Sequence, residues 1–559
     1  MNRLHTILLI LLVLSFPIFA QDSPGEGPQE HPDSTAPDRR VQQEGPPEES
    51  EEQEKKEKEF VAAFSSTDIT YNPLHSYTAT EAQIYTAIYE GLVTYHPYSM
   101  APTPAVARKW EISEDKRTYR FFIRQDARYW NGDRILAEHV KDSWLKLLDP
   151  EVKAEYSFLL DVIDGAKDYR LGVNEDPDTV AIEVEAGNVL KVTLEHPAGH
   201  FLKVLCHHSF VPIHPKLLDE DDWKQYPSLL GNGPYYLEEK KEDELILKRN
   251  DLYWDADSVK IPNLRIVFID DPSIITDRFN KGDIHWSADG MVLDQVNNKN
   301  AIVPNPMFAT SYFYFRCKEP PLDDPDVRSG LAYLLPWKEI RNEQYMFIPT
   351  HTLVPTIPQY PDLEGIQKQN VIKGYTLLDE AGFENGKGLP ELVIRIPQGS
   401  ESNRIAELIK TAWEENLEVS VTIEQYSYPE YYNILKEPGY ALGTITWIGD
   451  FPDPLTFLQM WTAGSNLNDA GYNSQEFDRI IKESMRQSGE ERYNTLAEAE
   501  EIILKEAVVL PINNTPAFNL IDLNTFGGWY PNPLDIHPFK YIRYKMSIIT
   551  PHVAKAPVQ

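Results

Sequence analysis

The feature of this chain that most constrains its fold is the change in composition at Phe60. Beyond that residue, segments rich in apolar and aromatic side chains continue to residue 559. A stretch of about 500 residues is longer than a single hydrophobic core serves, so two or three domains are expected. Strand-like and helix-like segments alternate along it without an internal repeat. This pattern predicts an α/β fold with mixed sheets.

The segment before Phe60 has the composition of a solvated linker. Residues 21–59 contain six prolines, no aromatic residue, thirteen acidic and five basic residues, and Val41 as their only branched aliphatic. Such a segment cannot bury enough apolar surface to fold. We expect a disordered acidic spacer there, and we favour it over a binding tail.

The first twenty residues have the pattern of an export signal. Arg3 precedes the short apolar run 7–16, and residues 17–20 end in the small residue Ala20. The run is shorter than the roughly 20 apolar residues of a membrane span. We therefore expect a signal peptide over 1–20, cleaved after Ala20, although an uncleaved anchor is the alternative. No cysteine follows for a lipid anchor, so the expected location is periplasmic.

Charge and cysteine content exclude some classes of partner. The formal net charge is −34, and a surface this acidic repels the phosphate backbone of nucleic acids. Cys206 and Cys317 are the only cysteines, and neither has a CxxC partner for zinc or redox chemistry. An exported protein can form a disulfide, but the sequence alone leaves open whether these two residues meet.

Residue periodicity predicts individual strands and helices in the folded part. Tyr119, Phe121 and Ile123 alternate with polar or aromatic neighbours, as expected of a half-buried strand. Gly382 is placed to close a preceding helix in the left-handed conformation. The predicted strands are 118–124, 190–194, 264–268 and 419–423, and the predicted helices are 375–381, 403–417 and 491–505.

A series of short motifs extends from residue 72 to residue 544. The motifs are IYEGLV at 88–93, WEISED at 110–115, YRFFIR at 119–124, YWNGD at 129–133, DP at 149–150, GNGPY at 231–235, KRN at 248–250, YW at 253–254, GDI at 282–284, PPLDD at 320–324, VR at 327–328, WIGD at 447–450 and DP at 453–454. Their order resembles that of the oligopeptide- and dipeptide-binding proteins of ABC importers, family 5 of the solute-binding proteins. Each motif is weak alone, whereas their joint order is specific for the family.

The resemblance implies a two-lobed periplasmic-binding-protein fold that closes around its ligand by a hinge motion. It places the discontinuous first lobe at 60–108, 209–308 and 529–559, an inserted domain at 109–208, and the other lobe at 309–528. It further implies that the protein captures short peptides between the lobes and delivers them to the permease subunits of an ABC transporter in the membrane. We expect a monomer without a cofactor and without catalytic residues.

The WIGD motif supplies the main candidate for ligand binding. In peptide-binding relatives the aspartate of this motif pairs with the amino terminus of the ligand, so the resemblance assigns that role to Asp450. An α-amine is a cation, and its burial requires a fixed carboxylate. The alternative is a loop aspartate that caps the next turn. Ile448 and Gly449 would offer backbone hydrogen bonds to the peptide, and Trp447 would either wall a side-chain pocket or pack in the core.

Other candidates rest on position within the resemblance. Tyr156 aligns with a tyrosine in the cleft of the relatives, and Trp286 and Tyr428 are weaker candidates by position. Tyrosine offers an apolar ring together with a hydroxyl, although a chain with 30 tyrosines has many in structural roles. Residues 81–85 are expected to pair with the ligand through their backbone from the first lobe.

Five histidines crowd the segment 196–214, and a metal site is the obvious alternative there. Their spacing fits no strong zinc pattern, and the resemblance implies no metal in this region. It instead implies that a histidine near His207 faces the cleft. The five residues are His196, His200, His207, His208 and His214.

The chain departs from its relatives where a peptide carboxylate would be held. Some oligopeptide binders carry an arginine six residues before the amine-binding aspartate, and here that position is Thr444. A cysteine pair of some relatives is also missing, since Ile448 occupies the motif position. The residue that anchors the ligand's carboxyl terminus is therefore unidentified.

Alternative functions fall into three classes. The same fold also binds nickel complexes, haem or oligosaccharides in this family, although Asp450 argues against sugars. A chaperone or sensor could use the same cleft. An enzyme is disfavoured, because the sequence contains no GxSxG, HExxH or P-loop pattern.

Overall fold

A computed structural model describes residues 59–545 apart from 66–68, 77, 219, 221–222, 224–228 and 343–346. The predicted signal peptide and residues 21–58 of the predicted linker lie outside the described residues, whereas Glu59, its last residue, begins the first strand. The strands in the described part are β1 (Glu59–Phe64), β2 (Val93–Tyr95), β3 (Pro102–Pro104), β4 (Ala107–Ile112), β5 (Thr118–Ile123), β6 (Ile182–Glu185), β7 (Val189–Thr193), β8 (Tyr235–Lys240), β9 (Glu244–Arg249), β10 (Asn263–Phe268), β11 (Trp286–Ser287), β12 (Ile302–Phe315), β13 (Ile348–Pro349), β14 (Leu392–Pro397), β15 (Val421–Tyr426), β16 (Leu442–Ile448), β17 (Val509–Ile521), β18 (Phe526–Gly527) and β19 (Arg543–Tyr544).

The α-helices in the same residues are α1 (Ala79–Ile88), α2 (Ala137–Leu148), α3 (Ala166–Arg170), α4 (Phe201–Val204), α5 (Pro215–Leu218), α6 (Pro272–Lys281), α7 (Pro325–Tyr333), α8 (Trp337–Ile340), α9 (Val371–Glu380), α10 (Ser400–Asn416), α11 (Tyr428–Lys436), α12 (Leu455–Leu458), α13 (Gln475–Ser484) and α14 (Gly489–Lys505). None of them combines the length and the apolar character that a membrane span requires.

Local sequence explains where the helix that matters most for the site begins. Thr78 is the N-cap of α1: its hydroxyl accepts the N–H of Glu81, and the Glu81 carboxylate accepts the N–H of Thr78. This reciprocal capping box satisfies two backbone donors that a helix start leaves unpaired. Glu81 also accepts the N–H of Thr70 at 2.9 Å. The helix is thereby fixed to the segment that precedes it.

One mixed sheet runs through both lobes. Its strands follow the order β15-β14-β16-β12-β17-β11-β1-β10-β9-β8, and β13 pairs with β17 outside this path. The pairs β1–β10, β1–β11, β14–β15 and β14–β16 are parallel, whereas β12 is antiparallel to both β16 and β17. The predicted α/β class with mixed sheets is confirmed.

Two long strands join the halves of this sheet. β12 has 14 residues and β17 has 13, and they pair with each other over most of their length. β16 pairs with one end of β12, whereas β11 pairs with the far end of β17. The register of the long pair shifts between Pro306 and Thr310. An irregular two-stranded connection of this kind suits a hinge between lobes.

A separate antiparallel sheet occupies the region predicted as the inserted domain. Its order is β4-β5-β7-β6. Tyr119, Phe121 and Ile123 of β5 are buried, as their alternation predicts. Helix α2 packs Val140 and Trp144 into the core.

Several predicted elements exist but start elsewhere. Helix α9 begins four residues before the predicted start, because the Asn370 side chain caps it by accepting the N–H of Lys373. β15 begins at Val421, so Val419 lies outside the strand. Gly382 does adopt a positive φ of 91° after α9, as predicted.

Cys206 and Cys317 are both free thiols, so the two residues do not form a disulfide.

Candidate ligand-binding site

Asp450 lies just beyond the end of β16, where the chain turns toward α12. Its N–H donates to the hydroxyl oxygen of Thr456 at 2.8 Å, and that hydroxyl donates to Asp450 Oδ2 at 3.0 Å. The Asp450 side chain is only 8% exposed. The carboxylate is therefore held in one orientation inside the protein.

The capping role that competed for Asp450 belongs to a neighbouring aspartate. Asp453 Oδ1 accepts the N–H of Leu455 at the start of α12. Its two carboxylate oxygens also accept bonds from Arg492 at 2.8 and 2.9 Å. Asp453 thus caps the helix after the turn, while within the turn the Asp450 carboxylate accepts its bond from Thr456.

Tyr156 and His207 lie beside the Asp450 carboxylate and come from the segment 109–208, the predicted inserted domain. His207 Nε2 lies 3.8 Å from Asp450 Oδ1, which is too long for a hydrogen bond. His207 Nδ1 accepts the N–H of Ser209, and the ring packs 4.2 Å from that of Tyr156, measured between centroids. Burial, followed by the neighbouring His208, holds the pKa of His207 well below its usual value. His207 is therefore neutral.

No cationic side chain among the described residues pairs with Asp450. Burial raises the pKa of this carboxyl to about 7, and hydrogen bonds with the hydroxyls of Thr456 and Tyr156 offset only part of that rise. A buried carboxylate without a cation is costly, and a cation placed beside it lowers its pKa again. The chemistry of this cluster favours a positively charged group.

The backbone beside Asp450 exposes one strand edge. The N–H of Gly449 donates to the carbonyl of Phe308. Because bonded positions alternate along an antiparallel pair, the backbone groups of Thr446 and Ile448 point away from β12. On the side of β16 opposite β12, strand β14 pairs with β16 only at Leu442. Among the described residues, no strand covers the outer edge at Thr446 and Ile448.

A cavity of about 430 Å³ adjoins this edge. Ile448 and Trp286 both line it, together with residues of α1 and β17. Trp286 is fully buried, and its Nε1–H donates to Asn519 Oδ1 at 2.8 Å. Two of the predicted site residues therefore meet here, one from each lobe.

The remaining predicted residues lie elsewhere. Trp447 is buried, and its Nε1–H donates to the carbonyl of Thr456, so its ring packs in the core beside the turn. Tyr428 begins α11, and its side chain lies outside the described residues. The prediction that residues 81–85 pair with a ligand through their backbone is wrong, because they form part of α1 and use their backbone groups within the helix.

The histidines of segment 196–214 do not converge on a metal site. His214 contacts Asp133 at 2.9 Å, whereas His200 stacks on Phe451. The rings of His207 and His208 contact each other at a tilt of 35°, with 4.0 Å between their centroids. Within the described chain, no group of three or more potential metal ligands is found.

Sequence reasoning missed Thr456 and Tyr95 as neighbours of Asp450. The Tyr95 hydroxyl donates to the carbonyl of Asp450 at 3.1 Å, across more than three hundred residues of sequence. Only Thr456 carries a local signal, because a hydroxyl six residues after the aspartate can close the turn. Thr444 is committed to the sheet, since its hydroxyl donates to the carbonyl of Tyr312 and its backbone binds the hydroxyl of Tyr431.

Comparison with known proteins gives one family. The profile described as bacterial extracellular solute-binding proteins, family 5 (middle), matches residues 101–469. The dipeptide-binding protein DppE of Bacillus subtilis (strain 168) is 28% identical over 436 residues, which cover 74% of this chain and 78% of that protein.

Solved structures agree on the fold. The OppA of Haemophilus influenzae in complex with RPPGFSPFR matches with a TM-score of 0.80 at 22% identity, over 87% of this chain and 99% of that one. The murein tripeptide-binding protein MppA of Escherichia coli matches with a TM-score of 0.79 at 22% identity, over 87% and 98% of the two chains. An unliganded open form of MppA, also 22% identical, gives 0.60 over 87% and 97%. The two lobes here are arranged more like the first two structures than like the open form.

Proposed function

Since this chain belongs to the bacterial extracellular solute-binding proteins of family 5, which are binding proteins rather than enzymes, we propose that it captures short peptides between its lobes. In this proposal Asp450 pairs with the α-amine of the peptide. The loaded protein then delivers the peptide to the permease subunits of an ABC importer.

The observation that carries the proposal is the buried carboxylate of Asp450 without a protein cation. Thr456 orients it, and Tyr156 and His207 enclose it with neutral groups. An ammonium group placed there recovers the electrostatic energy that burial of the carboxylate costs. The names of the similar proteins, which include dipeptide- and oligopeptide-binding proteins, support a peptide as the source of that ammonium.

The outer edge of β16 supplies the second part of the recognition. A peptide in the extended conformation can pair with the free backbone groups of Thr446 and Ile448. Such bonds use only the ligand backbone, so they give affinity without a choice of sequence. The amine would then lie at Asp450, at the end of the same strand.

The cellular setting and the boundaries are part of the same proposal. We propose a monomeric protein in the periplasm, exported by residues 1–20. The lobes would be residues 60–108 with 209–308 and 529–559, and residues 309–528, with 109–208 inserted. The path of the main sheet supports this division, because β1 and β8–β11 lie on one side of the β12–β17 pair and β14–β16 lie on the other.

The test is calorimetry with tri- to pentapeptides on wild-type protein and on Asp450→Asn. We expect saturable binding by the wild type and at least about a hundredfold weaker binding by the variant, because one partner of a buried charge pair is lost. Peptides whose α-amine is acetylated should bind the wild type as weakly as unmodified peptides bind the variant.

The control is Asp126→Asn, which makes the same charge change at an exposed aspartate near the four-stranded sheet. It should bind like the wild type. Unchanged affinity of Asp450→Asn for free peptides would refute the role of Asp450. Native mass spectrometry of freshly purified protein distinguishes the other ligands, since a ladder of peptide masses differs from a haem, a nickel complex or an oligosaccharide.

A further inference from the structure

The cavity beside Ile448 contains two carboxylates between apolar walls. Asp289 and Asp535 line it, along with Trp286, Met291, Met307 and Phe518. No lysine or arginine is found among its lining residues in the described chain. This combination differs from the Asp450 cluster, where a single carboxylate is enclosed by polar rings.

Two amides and a histidine hold Asp535 in place. Its Oδ1 accepts bonds from the side-chain amides of Asn305 and Asn519, at 2.5 and 3.1 Å, and lies 3.0 Å from His537 Nε2. Asn532 lies on the other side of the histidine ring, with its amide nitrogen 3.4 Å from His537 Nδ1.

Asp535 is thus a carboxylate held by two side-chain amides and by a contact with His537 Nε2 at 3.0 Å. Among the described residues, no lysine or arginine pairs with it.

Asp289, the other carboxylate of the cavity, is partly buried. Its Oδ1 accepts the N–H of Ser65 at 3.0 Å. Burial raises the pKa of this carboxyl, the hydrogen bonds from Ser65 oppose the rise, and Asp535 adds to it. The charges of the two carboxylates therefore repel each other, and a cation between them would reduce this repulsion.

The cavity lies within reach of a peptide bound as proposed above. Ala79, Thr80 and Gln83 of α1 line the cavity. On another side of the same helix, Tyr85 packs 5.7 Å from His208, beside the Asp450 cluster. Ile448 precedes Asp450 by two residues, or roughly 7 Å along an extended chain. A side chain from one of the first three residues of the peptide can therefore enter the cavity.

We propose that this cavity receives a basic side chain, lysine or arginine, from the first three residues of the bound peptide. Such side chains have an apolar stem that matches Trp286, Met291 and Phe518, and a charged end that matches Asp289 and Asp535. A hard metal ion does not suit the site, because it needs about six oxygen ligands and most of these walls are apolar. The inference rests on the proposed peptide-binding function.

The experiment is calorimetry with alanine tetrapeptides that carry lysine, Nε-acetyl-lysine or glutamate at position 1, 2 or 3. At one position, lysine should bind about tenfold or more tightly than acetyl-lysine, and glutamate should bind weakest. The preference for lysine should disappear in Asp289→Asn and Asp535→Asn. Asparagine keeps the acceptor for Ser65, and it tolerates the positive φ of 52° at residue 535.

Asp294→Asn, at an exposed position next to the cavity residue Leu293, is the matched control and should retain the preference. Equal binding of lysine and acetyl-lysine at all three positions overturns this inference but leaves peptide capture intact. Retention of the lysine preference in both cavity variants overturns it as well. Failure of every tetrapeptide to bind refutes the proposed function instead. The wild-type comparison decides the question even if a variant folds poorly.

Discussion

Two aspartates on either side of Pro452 have opposite surroundings, although they stand three residues apart. Arg492 outweighs the effect of burial on Asp453 and holds the pKa of that carboxyl below its usual range. Asp450 is buried without such a partner, and its pKa rises to about 7. The first arrangement is complete within the protein and stabilises a turn. The second gains its missing partner only from a ligand, which is why we assign binding to Asp450.

At the same scale, the affinity for peptides should fall at acid pH. A peptide amine pairs with the ionised carboxylate, so below pH 7 the conversion of closed, peptide-free protein to the complex requires removal of a proton from Asp450. Affinity should drop by up to about tenfold per pH unit below 7, and by less where the peptide-free protein is open. A titration of one tripeptide between pH 5 and 7.5 measures the slope. In Asp450→Asn, the part of the slope that this carboxylate contributes should be absent.

Burial moves the pKa values of the groups around Asp450 away from that range. It raises the pKa of Tyr156 and of Tyr95 well above 10, and burial with the neighbouring His208 lowers that of His207 well below 6.5. An affinity that depends on pH as steeply in Asp450→Asn as in the wild type would therefore contradict the pairing of this carboxylate with the amine.

At the scale of elements, local patterns predicted what local forces determine. Alternation in β5 and helical spacing in α10 gave these elements correctly, because each buries one face. The start of α9 was missed, since it depends on a cap at Asn370 rather than on apolar spacing. Thr78 and Glu81 form a capping box that the sequence displays as T-x-x-E, and this signal predicts the helix where we expected backbone pairing with the ligand.

Long-range pairing could not be obtained from the sequence. The contact of Asp450 with His207 and Tyr95 depends on how β16 pairs with β12 and how the lobes meet. Motif resemblance singled out Asp450, but it carried no information on Asp289 and Asp535. These two residues are separated by about 250 positions and meet only because β11 and the C-terminal segment adjoin β17.

The end of β16 provides the prediction at this scale. A Cβ on Gly449 would lie 2.7 Å from Phe308 Cδ1 and 2.9 Å from Thr456 Cγ2. Gly449→Ala must therefore displace the turn that orients Asp450. We expect a loss of stability of about 1–3 kcal/mol, as for other overpacked sites, together with weaker peptide binding.

Chemical denaturation and calorimetry on the same preparations measure both effects. The matched control is Gly399→Ala, where a new Cβ would lie 3.9 Å from Ser402 Oγ. That variant should keep its affinity and most of its stability. Wild-type affinity in Gly449→Ala would show that the close packing at this turn does not position Asp450.

At the scale of the whole molecule, the enclosure of Asp450 depends on closure of the lobes. Tyr95, Tyr156 and His207 beside it come from the part of the chain before residue 209, whereas Asp450 and Thr456 belong to the segment 309–528. Further bonds cross the same boundary: Lys203 donates to the carbonyl of Pro452, and Arg170 donates to that of Gly464. The β12–β17 pair connects the two lobes within the sheet, so the sheet can bend at this pair when the lobes separate.

Closure should therefore depend on pH in protein without peptide. Ionised Asp450 is poorly accommodated in the closed arrangement, and opening returns it to water, where its pKa regains its usual value of 3.8. Between that value and about 7, the ratio of open to closed molecules should rise by up to about tenfold per pH unit. Peptide should reverse the effect, because its amine stabilises the carboxylate in the closed cleft.

Distances between spin labels on the two lobes, measured from pH 4.5 to 8, would report this equilibrium. Asp450→Asn should remove the part of the pH dependence that this carboxylate contributes. Burial also raises the pKa of Glu500 to about 7 and that of Asp469 to about 6, so any slope left in the variant reports these two groups. Identical pH curves for the wild type and the variant would mean that the charge of Asp450 does not affect closure. If ionisation of this buried carboxylate drives opening, then its replacement by asparagine must change the pH dependence.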